Sequence, residues 1–257
     1  MRFAFVALAL VTALFAGILL CLEVGRRAGL RRIAKDSKEA GAGFGAVDGA
    51  IFGLMGLLVA FTFSGAASRF DTRRQLVVQE ANAIGTAYLR LDMLPASAQP
   101  ALRESFRRYL DARLAVYRKL PDLQAARAEL DRATALQGEI WAQAVTACRE
   151  APQPPTMLVL PALNEMIDIT TTRTMAAQMH PPAIIFVLMA VLALASSLLA
   201  GYGMAGSRAR SWVHVLGFAT IMAVTLYVIA DLEFPRLGVI RVDSFDRVLV
   251  DLRNSMK

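Results

Sequence analysis

The charged residues of this chain are distributed so that four long stretches contain none of them. These stretches, which lack Asp, Glu, Lys and Arg, lie at 3–22, 49–68, 181–207 and 211–230. About 20 apolar residues that rise 1.5 Å each cross the roughly 30 Å hydrocarbon core of a bilayer. We therefore predict an all-α, polytopic membrane protein with four transmembrane helices. They are arranged 2+2 around a helical extramembrane domain.

This pattern divides the chain into four segments. We place transmembrane helices 1 and 2 with a basic loop (23–48) in 1–68, the extramembrane domain in 69–180, transmembrane helices 3 and 4 in 181–234, and an amphipathic C-terminal helix in 235–257. The tail pattern has apolar residues at spacings of 3, 4, 3 and 4 from Val242 to Met256, with charged residues between them. Because the tail follows the fourth span, it shares a side of the membrane with the extramembrane domain. We expect the two to pack together.

The extramembrane segment has the apolar period of helices rather than strands. Its first stripe runs from Val77 to Leu91, and no breaker separates it from the second span, so we expect one long helix that ends before Pro95. A second helix is predicted between Pro100 and Pro121, and Arg113 interrupts its apolar face. A third is predicted over 122–148, then a Pro-rich linker at 151–155 and a weaker helix over 158–178.

Composition excludes several classes of function. The hydrophobic fraction of 56% and mean hydropathy of +0.47 exceed those of ordinary soluble domains. The net charge of +7 favours anionic lipid headgroups, and no basic run interleaved with aromatics indicates nucleic-acid binding. Cys21 and Cys148 are too few for a disulfide framework, and their spacing with His180 and His214 assembles no zinc site. We find no catalytic or nucleotide-binding motif and expect no enzyme activity, cofactor or metal.

Charge density gives a prediction of topology. The first loop contains Arg26, Arg27, Arg31, Arg32, Lys35 and Lys38, and the loop between the third and fourth spans contains Arg208 and Arg210. Short basic loops favour the cytoplasm, which places the extramembrane domain in the periplasm of a bacterial inner membrane. Arg69, Arg73 and Arg236 flank spans on the other side and oppose this assignment.

The second span carries the strongest candidate contacts. Gly45, Gly49 and Gly53 lie four residues apart and Gly56 follows, a spacing that permits close helix contact in lipid. The glycines form either a subunit or pore-lining seam, or a packing surface against the first or fourth span. Further along, Phe61 and Phe63 are a possible constriction that gates by dewetting, or ordinary lipid-facing and core aromatics.

Ionisable and polar residues gather where the chain leaves the predicted membrane. We predict a juxtamembrane polar ring in which Asp231 or Glu233 pairs with Arg69 or Arg73; separate contacts with solvent or headgroups are the alternative. The ring comprises Arg69, Asp71, Arg73, Glu80, Asn82, His180, Asp231, Glu233 and Arg236. Of these, Glu80 and Asn82 either hydrogen-bond between helices or line an ion path.

Two segments resemble the bestrophin-like family of bacterial membrane proteins. The first, from Gly56 to Pro95, reads GLLVAFTFSGAASRFDTRRQLVVQEANAIGTAYLRLDMLP, and the second, from Asp231 to Arg236, reads DLEFPR. The family is named for a distant likeness to bestrophins, which are pentameric anion channels with two spans, helical soluble parts and two further spans. The resemblance implies the same layout here, but with the soluble helices in the cytoplasm, against the prediction from charge.

Two functions follow from these observations. The first is a bestrophin-like oligomeric channel or pore for small anions, a homo-oligomer in the lipid bilayer that favours anions because its mouth is rich in Arg. The alternative is a non-enzymatic, membrane-anchored sensor or scaffold that binds a partner through its helical domain.

Overall fold

Helices account for nearly all of the secondary structure. The computed structural model describes residues 2–35, 45–150, 153–206 and 211–256, and no strand occurs in those ranges. The α-helices are α1 (Arg2–Lys35), α2 (Gly45–Arg90), α3 (Gln99–Arg118), α4 (Leu123–Glu150), α5 (Gln153–Gln178), α6 (Ala183–Gly203), α7 (Trp212–Glu233) and α8 (Arg247–Ser255). Short 3₁₀ turns lie at Leu91–Met93, Met204–Gly206 and Asp243–Asp246. The predicted all-α class is confirmed.

Four of the described helical segments are long and apolar enough to cross a membrane. They are Val6–Lys35, Gly45–Met93, Met157–Gly206 and Trp212–Glu233. Gly45–Met93 contains one whole uncharged stretch of the sequence, and each of the other three segments contains most of one. Their 2+2 arrangement in a bilayer stays a prediction.

The first helix extends further than the sequence indicated. The prediction of a loop from 23 onwards is wrong, because α1 continues through the basic residues to Lys35. Arg, Lys, Leu and Ala are all good helix formers, and no proline or cap interrupts them. Residues 45–48 of the predicted loop are also helical, because α2 begins at Gly45. The remainder, 36–44, including Lys38, lies outside the described residues, as does the loop at 208–210.

The predicted long second helix is confirmed. Helix α2 is a single element of 46 residues, followed by the 3₁₀ turn at Leu91–Met93. Leu94 then takes an extended conformation (φ −87°, ψ 161°), as a residue that precedes proline should. The predicted linker at 151–155 is wrong over 153–155, because α5 begins at Gln153 and Pro154 and Pro155 occupy its first turn, where no N–H is needed. Residues 151 and 152 lie outside the described part.

The chain divides into two compact units. Unit 1 consists of Met1–Ser68 and His180–Phe234, and unit 2 of Arg69–Met179 and Pro235–Lys257.

In unit 1, α1 and α6 are in backbone contact. A Cβ added to Gly25 would lie 1.9 Å from the carbonyl oxygen of Leu198, and one added to Gly201 would lie 2.0 Å from that of Leu22. Small residues at spacings of four, Gly25 with Gly29, permit this approach, as is usual for helices packed in lipid. Residues of α1 and α7 form a second buried cluster beside this seam.

Unit 2 is a helical domain built around one apolar core. The core joins the C-terminal half of α2 to α3, α4, α5 and the tail through Ile84, Phe106, Ile140, Met166 and Leu249. All five side chains are fully buried. The predicted packing of the tail on this segment is therefore confirmed.

Candidate functional site

The glycines of the second span lie on an open face of α2. Gly45, Gly49, Gly53 and Gly56 are all exposed, and a Cβ built on any of them would meet nothing within 4 Å. They therefore make no close helix contact among the described residues. The close contact within unit 1 uses Gly25, Gly29 and Gly201 instead, which the sequence analysis missed although Gly25 and Gly29 have the small-xxx-small spacing.

The two phenylalanines of the predicted constriction project to different sides of α2. Residues two apart on an α-helix are separated by about 200°. Phe63 follows Gly49 and Gly56 at steps of seven residues, so it shares their face, whereas Phe61 points away from it. Both rings are exposed, at 46% for Phe63 and 69% for Phe61. Of the two, Phe63 is the one placed to act with the glycines.

A buried carboxylate lies at the centre of unit 2. Glu80 of α2 is fully buried, and its two oxygens accept hydrogen bonds from two guanidinium groups. The Nε of Arg113 on α3 lies 2.6 Å from Glu80 Oε1, and Arg173 on α5 donates through Nη1 to Glu80 Oε2. Arg113 is also fully buried and Arg173 is 4% exposed. Three helices are thus joined by one carboxylate.

The ionic contacts continue from Arg173 into the C-terminal tail. Arg173 Nη2 donates to Asp246 Oδ1 at 3.2 Å. Arg236 donates to both oxygens of Asp246, at 2.6 Å and 2.9 Å, and to Asp243 Oδ1 at 3.0 Å. We call Glu80, Arg113, Arg173, Arg236, Asp243 and Asp246 the ion network. Its three positive and three negative side chains balance, which is what burial of charge requires.

An aromatic ring holds two of these guanidinium groups in place. The guanidinium carbons of Arg173 and Arg236 each lie 4.1 Å from the ring centroid of Tyr117. The Tyr117 hydroxyl also accepts a hydrogen bond of 3.1 Å from Arg113 Nη2. Such stacking fixes the plane of a guanidinium and leaves its N–H groups free to bind carboxylates.

The network shifts the pKa values of Glu80 and Arg236 towards their charged forms. Burial alone would raise the pKa of Glu80, but the adjacent charges of Arg113 and Arg173 outweigh it and hold that pKa below its ordinary value. Burial would lower the pKa of Arg236, and its hydrogen bonds to Asp246 raise it instead. Glu80 and Arg236 are therefore both ionised at neutral pH.

A second, uncharged hydrogen-bond cluster lies within the same core. Tyr109 and Thr170 share a 2.8 Å hydrogen bond between their hydroxyls, and the side-chain amide of Gln137 donates to both at 3.1 Å. Burial is the largest cause that raises the pKa of Tyr109 to about 12.

The remaining members of the predicted polar ring have separate surroundings. In unit 2, Arg73 donates to the carbonyls of Ala176 and Met179 at the end of α5, at 3.1 Å and 2.7 Å. In unit 1, His180 Nδ1 lies 3.6 Å from Glu233 Oε2.

The other ring residues differ in exposure. Asp71 and Asn82 are exposed, Arg69 is half-buried and Asp231 is buried. The pairing of Asp231 or Glu233 with Arg69 or Arg73 would join the two units and stays a prediction.

Only part of the ion network is predictable from the sequence. The polar-ring pattern includes Glu80 and Arg236 but not their partners Arg173 and Asp246. The signal that could have found Arg113 was its position on an otherwise apolar helix face, because a guanidinium there must be buried with a carboxylate.

Comparison with known proteins identifies relatives of the chain. The Bestrophin-like domain matches residues 7–244. Two solved structures of a bacterial bestrophin homologue from Klebsiella pneumoniae are similar to it. A tryptophan-to-alanine variant matches with a TM-score of 0.66 and 14% identity, over 95% of this chain and 98% of that one. A tyrosine-to-alanine variant matches with a TM-score of 0.60 and 14% identity, over 93% and 98%. A comparison with curated protein sequences finds no match.

Proposed function

The chain belongs to the bestrophin-like family, and from this premise we propose that it forms a homo-oligomeric pore that conducts small anions across a membrane. The supporting observation is the open glycine face of α2. Gly49, Gly53 and Gly56 are exposed on an apolar helix long enough to span a bilayer, and a Cβ built on any of them would meet nothing within 4 Å. Glycines on such a face permit close approach of a neighbouring subunit or of hydrated ions.

The preference for anions is supported by the basic end of α1. Arg26, Arg27, Arg31, Arg32 and Lys35 follow the apolar part of that helix in its last three turns. A concentration of positive charge at one end of a membrane span raises the local concentration of anions. It also stabilises the negative end of the helix dipole.

Ion flux through reconstituted protein tests the proposal. Chloride efflux from proteoliposomes should exceed that from protein-free vesicles. Gly53→Leu, which fills the open face, should reduce efflux by roughly tenfold or more, as expected for a blocked hydrated path. Gly217→Leu is the matched control, because Gly217 lies on α7 with nothing within 4 Å of a Cβ, and it should leave efflux unchanged. Folded protein in tight vesicles without flux would refute the pore and favour the scaffold.

The side of the membrane occupied by residues 69–179 is a further part of the proposal. The density of basic residues at 26–35 supports a cytoplasmic location for that end of α1, and a periplasmic one for 69–179 in a bacterial inner membrane. Resemblance to bestrophins implies the reverse.

Cysteine labelling separates the two orientations. Ala135 is exposed on α4 and suits a labelled cysteine, in a background where Cys21 and the buried Cys148 are replaced. In cells with a permeabilised outer membrane only, labelling of Ala135→Cys by an impermeant maleimide is expected. Labelling that requires disruption of the inner membrane would reverse the proposed orientation.

A further inference from the structure

Unit 2 contains an open cavity beside the outer end of the ion network. Its volume is about 660 Å³, within the usual range for small-molecule sites. The C-terminal end of α3 and the tail line it, through Tyr117, Arg118, Arg236, Arg241 and Arg247, among others.

Some of the arginines that line this cavity are not held in ion pairs with its aspartates. Asp243 and Asp246 line it but already bind Arg236. By contrast, Arg118 and Arg247 make no hydrogen bond or ion pair within the described residues. Arg241 is 56% exposed at its side chain; its Nε donates to the carbonyl of Gly238 at 3.2 Å, and its Nη1 lies 3.5 Å from Asp243 Oδ2.

The inner wall of the cavity is rigid. Tyr117 and Arg236 both line it, and the stacked guanidinium of Arg236 is fixed by two bonds to Asp246. Arg236 cannot turn towards a ligand without breaking both of its hydrogen bonds to Asp246. The groups available to a ligand are therefore the exposed guanidiniums of the rim, and the wall provides a fixed aromatic surface.

We propose that this cavity binds a small phosphate-bearing molecule. Three guanidinium groups, those of Arg118, Arg241 and Arg247, can donate to the three terminal oxygens of a phosphate, whereas a single carboxylate offers only two oxygens. Asp251 also lines the cavity and forms no ion pair or hydrogen bond within the described residues, so it can accept from a hydroxyl or amino group of the same ligand. The site lies wholly in unit 2 and does not depend on the proposed pore.

Binding of inorganic pyrophosphate to the full-length protein in detergent tests the site. Titration calorimetry should give saturable binding, weakened roughly tenfold or more by Arg118→Ala or Arg247→Ala, since each loses charge-assisted hydrogen bonds. Arg127→Ala is the matched control, because Arg127 is an exposed arginine of the same unit that does not line the cavity. The affinity of Arg127→Ala for pyrophosphate should stay within about twofold of that of the wild type, because salt screens a distant surface charge.

Three results would overturn the proposal. The first is absence of saturable binding at millimolar pyrophosphate. Equal weakening by Arg127→Ala would show that net charge alone attracts the anion. Equal affinity for citrate at the same ionic strength would show that the cavity does not select phosphate. A circular dichroism spectrum matched to wild type establishes that each variant is folded.

Discussion

Replacement of the central carboxylate of the ion network should destabilise unit 2 by several kcal/mol. Glu80→Gln keeps the size of the side chain but removes its charge. Arg113 and Arg173 are then 0% and 4% exposed beside a neutral amide, and one amide N–H faces a guanidinium donor. Loss of one partner from a buried ion pair costs about 3–5 kcal/mol. The Nη1 of Arg113 has no hydrogen-bond partner among the described residues, so little else compensates its charge.

Tryptophan fluorescence can measure this loss of stability in unit 2 alone. The chain contains two tryptophans, and Trp141 packs partly buried against the core of unit 2. In a Trp212→Phe background, thermal unfolding in detergent should show a midpoint lowered by roughly 10 °C or more. Glu104→Gln is the control, because Glu104 is 56% exposed and pairs with Arg107 only at the surface. It should change stability by less than about 1 kcal/mol.

The pH dependence of the stability of wild type and Glu80→Gln gives an independent check. The pKa of Glu80 is held below its ordinary value, so the stability it contributes is complete above the unfolded pKa and is lost as pH falls through the folded one. The difference in free energy of unfolding between wild type and Glu80→Gln should therefore be constant near neutral pH. It should shrink only in acid, at pH values below the ordinary pKa of a glutamate. A Glu80→Gln protein within about 1 kcal/mol of wild type at pH 7 would refute the idea that the carboxylate compensates buried positive charge.

Three further predictions concern the helix seam, the uncharged cluster and the tail. Gly201→Ala should lower the thermal midpoint of unit 1 because its Cβ meets backbone at 2.0 Å, whereas Gly203→Ala, with open space, should be neutral or slightly stabilising. Since burial raises the pKa of Tyr109 to about 12, the stability of unit 2 should fall between pH 10 and 12 as the unfolded phenol ionises first, and Tyr109→Phe should remove that part of the loss. Leu249→Ala should cost about 2–5 kcal/mol in urea unfolding, while Arg253→Ala at the surface should cost less than about 1 kcal/mol.

Each of these predictions has a result that contradicts it. Equal effects of the two glycine substitutions would show that α1 and α6 do not touch at Gly201. A flat stability profile above pH 10 would place Tyr109 in contact with water. Equal costs for Leu249→Ala and Arg253→Ala would mean that the tail is held by its surface ion pair rather than by its apolar face.

The sequence predicted the helices well because their apolar periods are strong. The stripe from Val77 to Leu91 and the uncharged second span are each unambiguous, and their fusion into α2 followed from the absence of a breaker between them. The start of α5 is hard to predict because Pro154 and Pro155 are typical of a linker, although proline is also common in the first turn of a helix. The end of α1 is hard to predict because a run of charged residues is typical of loops, although Arg and Lys also have a high helix propensity.

The candidate sites were harder to predict because their partners are distant in sequence. Periodicity places Glu80 beside an apolar stripe but says nothing of which guanidinium on α3 or α5 will reach it. The glycines show the same limit. Spacing alone did not distinguish Gly25, in contact with a neighbouring helix, from Gly49, which faces open space. Only the three-dimensional arrangement of α1 and α6 separates the two.

The ion network of unit 2 can be completed only after the C-terminal tail has been synthesised. A ribosome produces Glu80, Arg113 and Arg173 long before Asp243 and Asp246, so until the tail emerges the interior of unit 2 has one more positive charge than negative charge. Such a domain cannot close without either hydrating a guanidinium or staying open. A product of interrupted translation thus retains an unfinished, water-accessible interior, and cellular proteases can distinguish it from the completed protein.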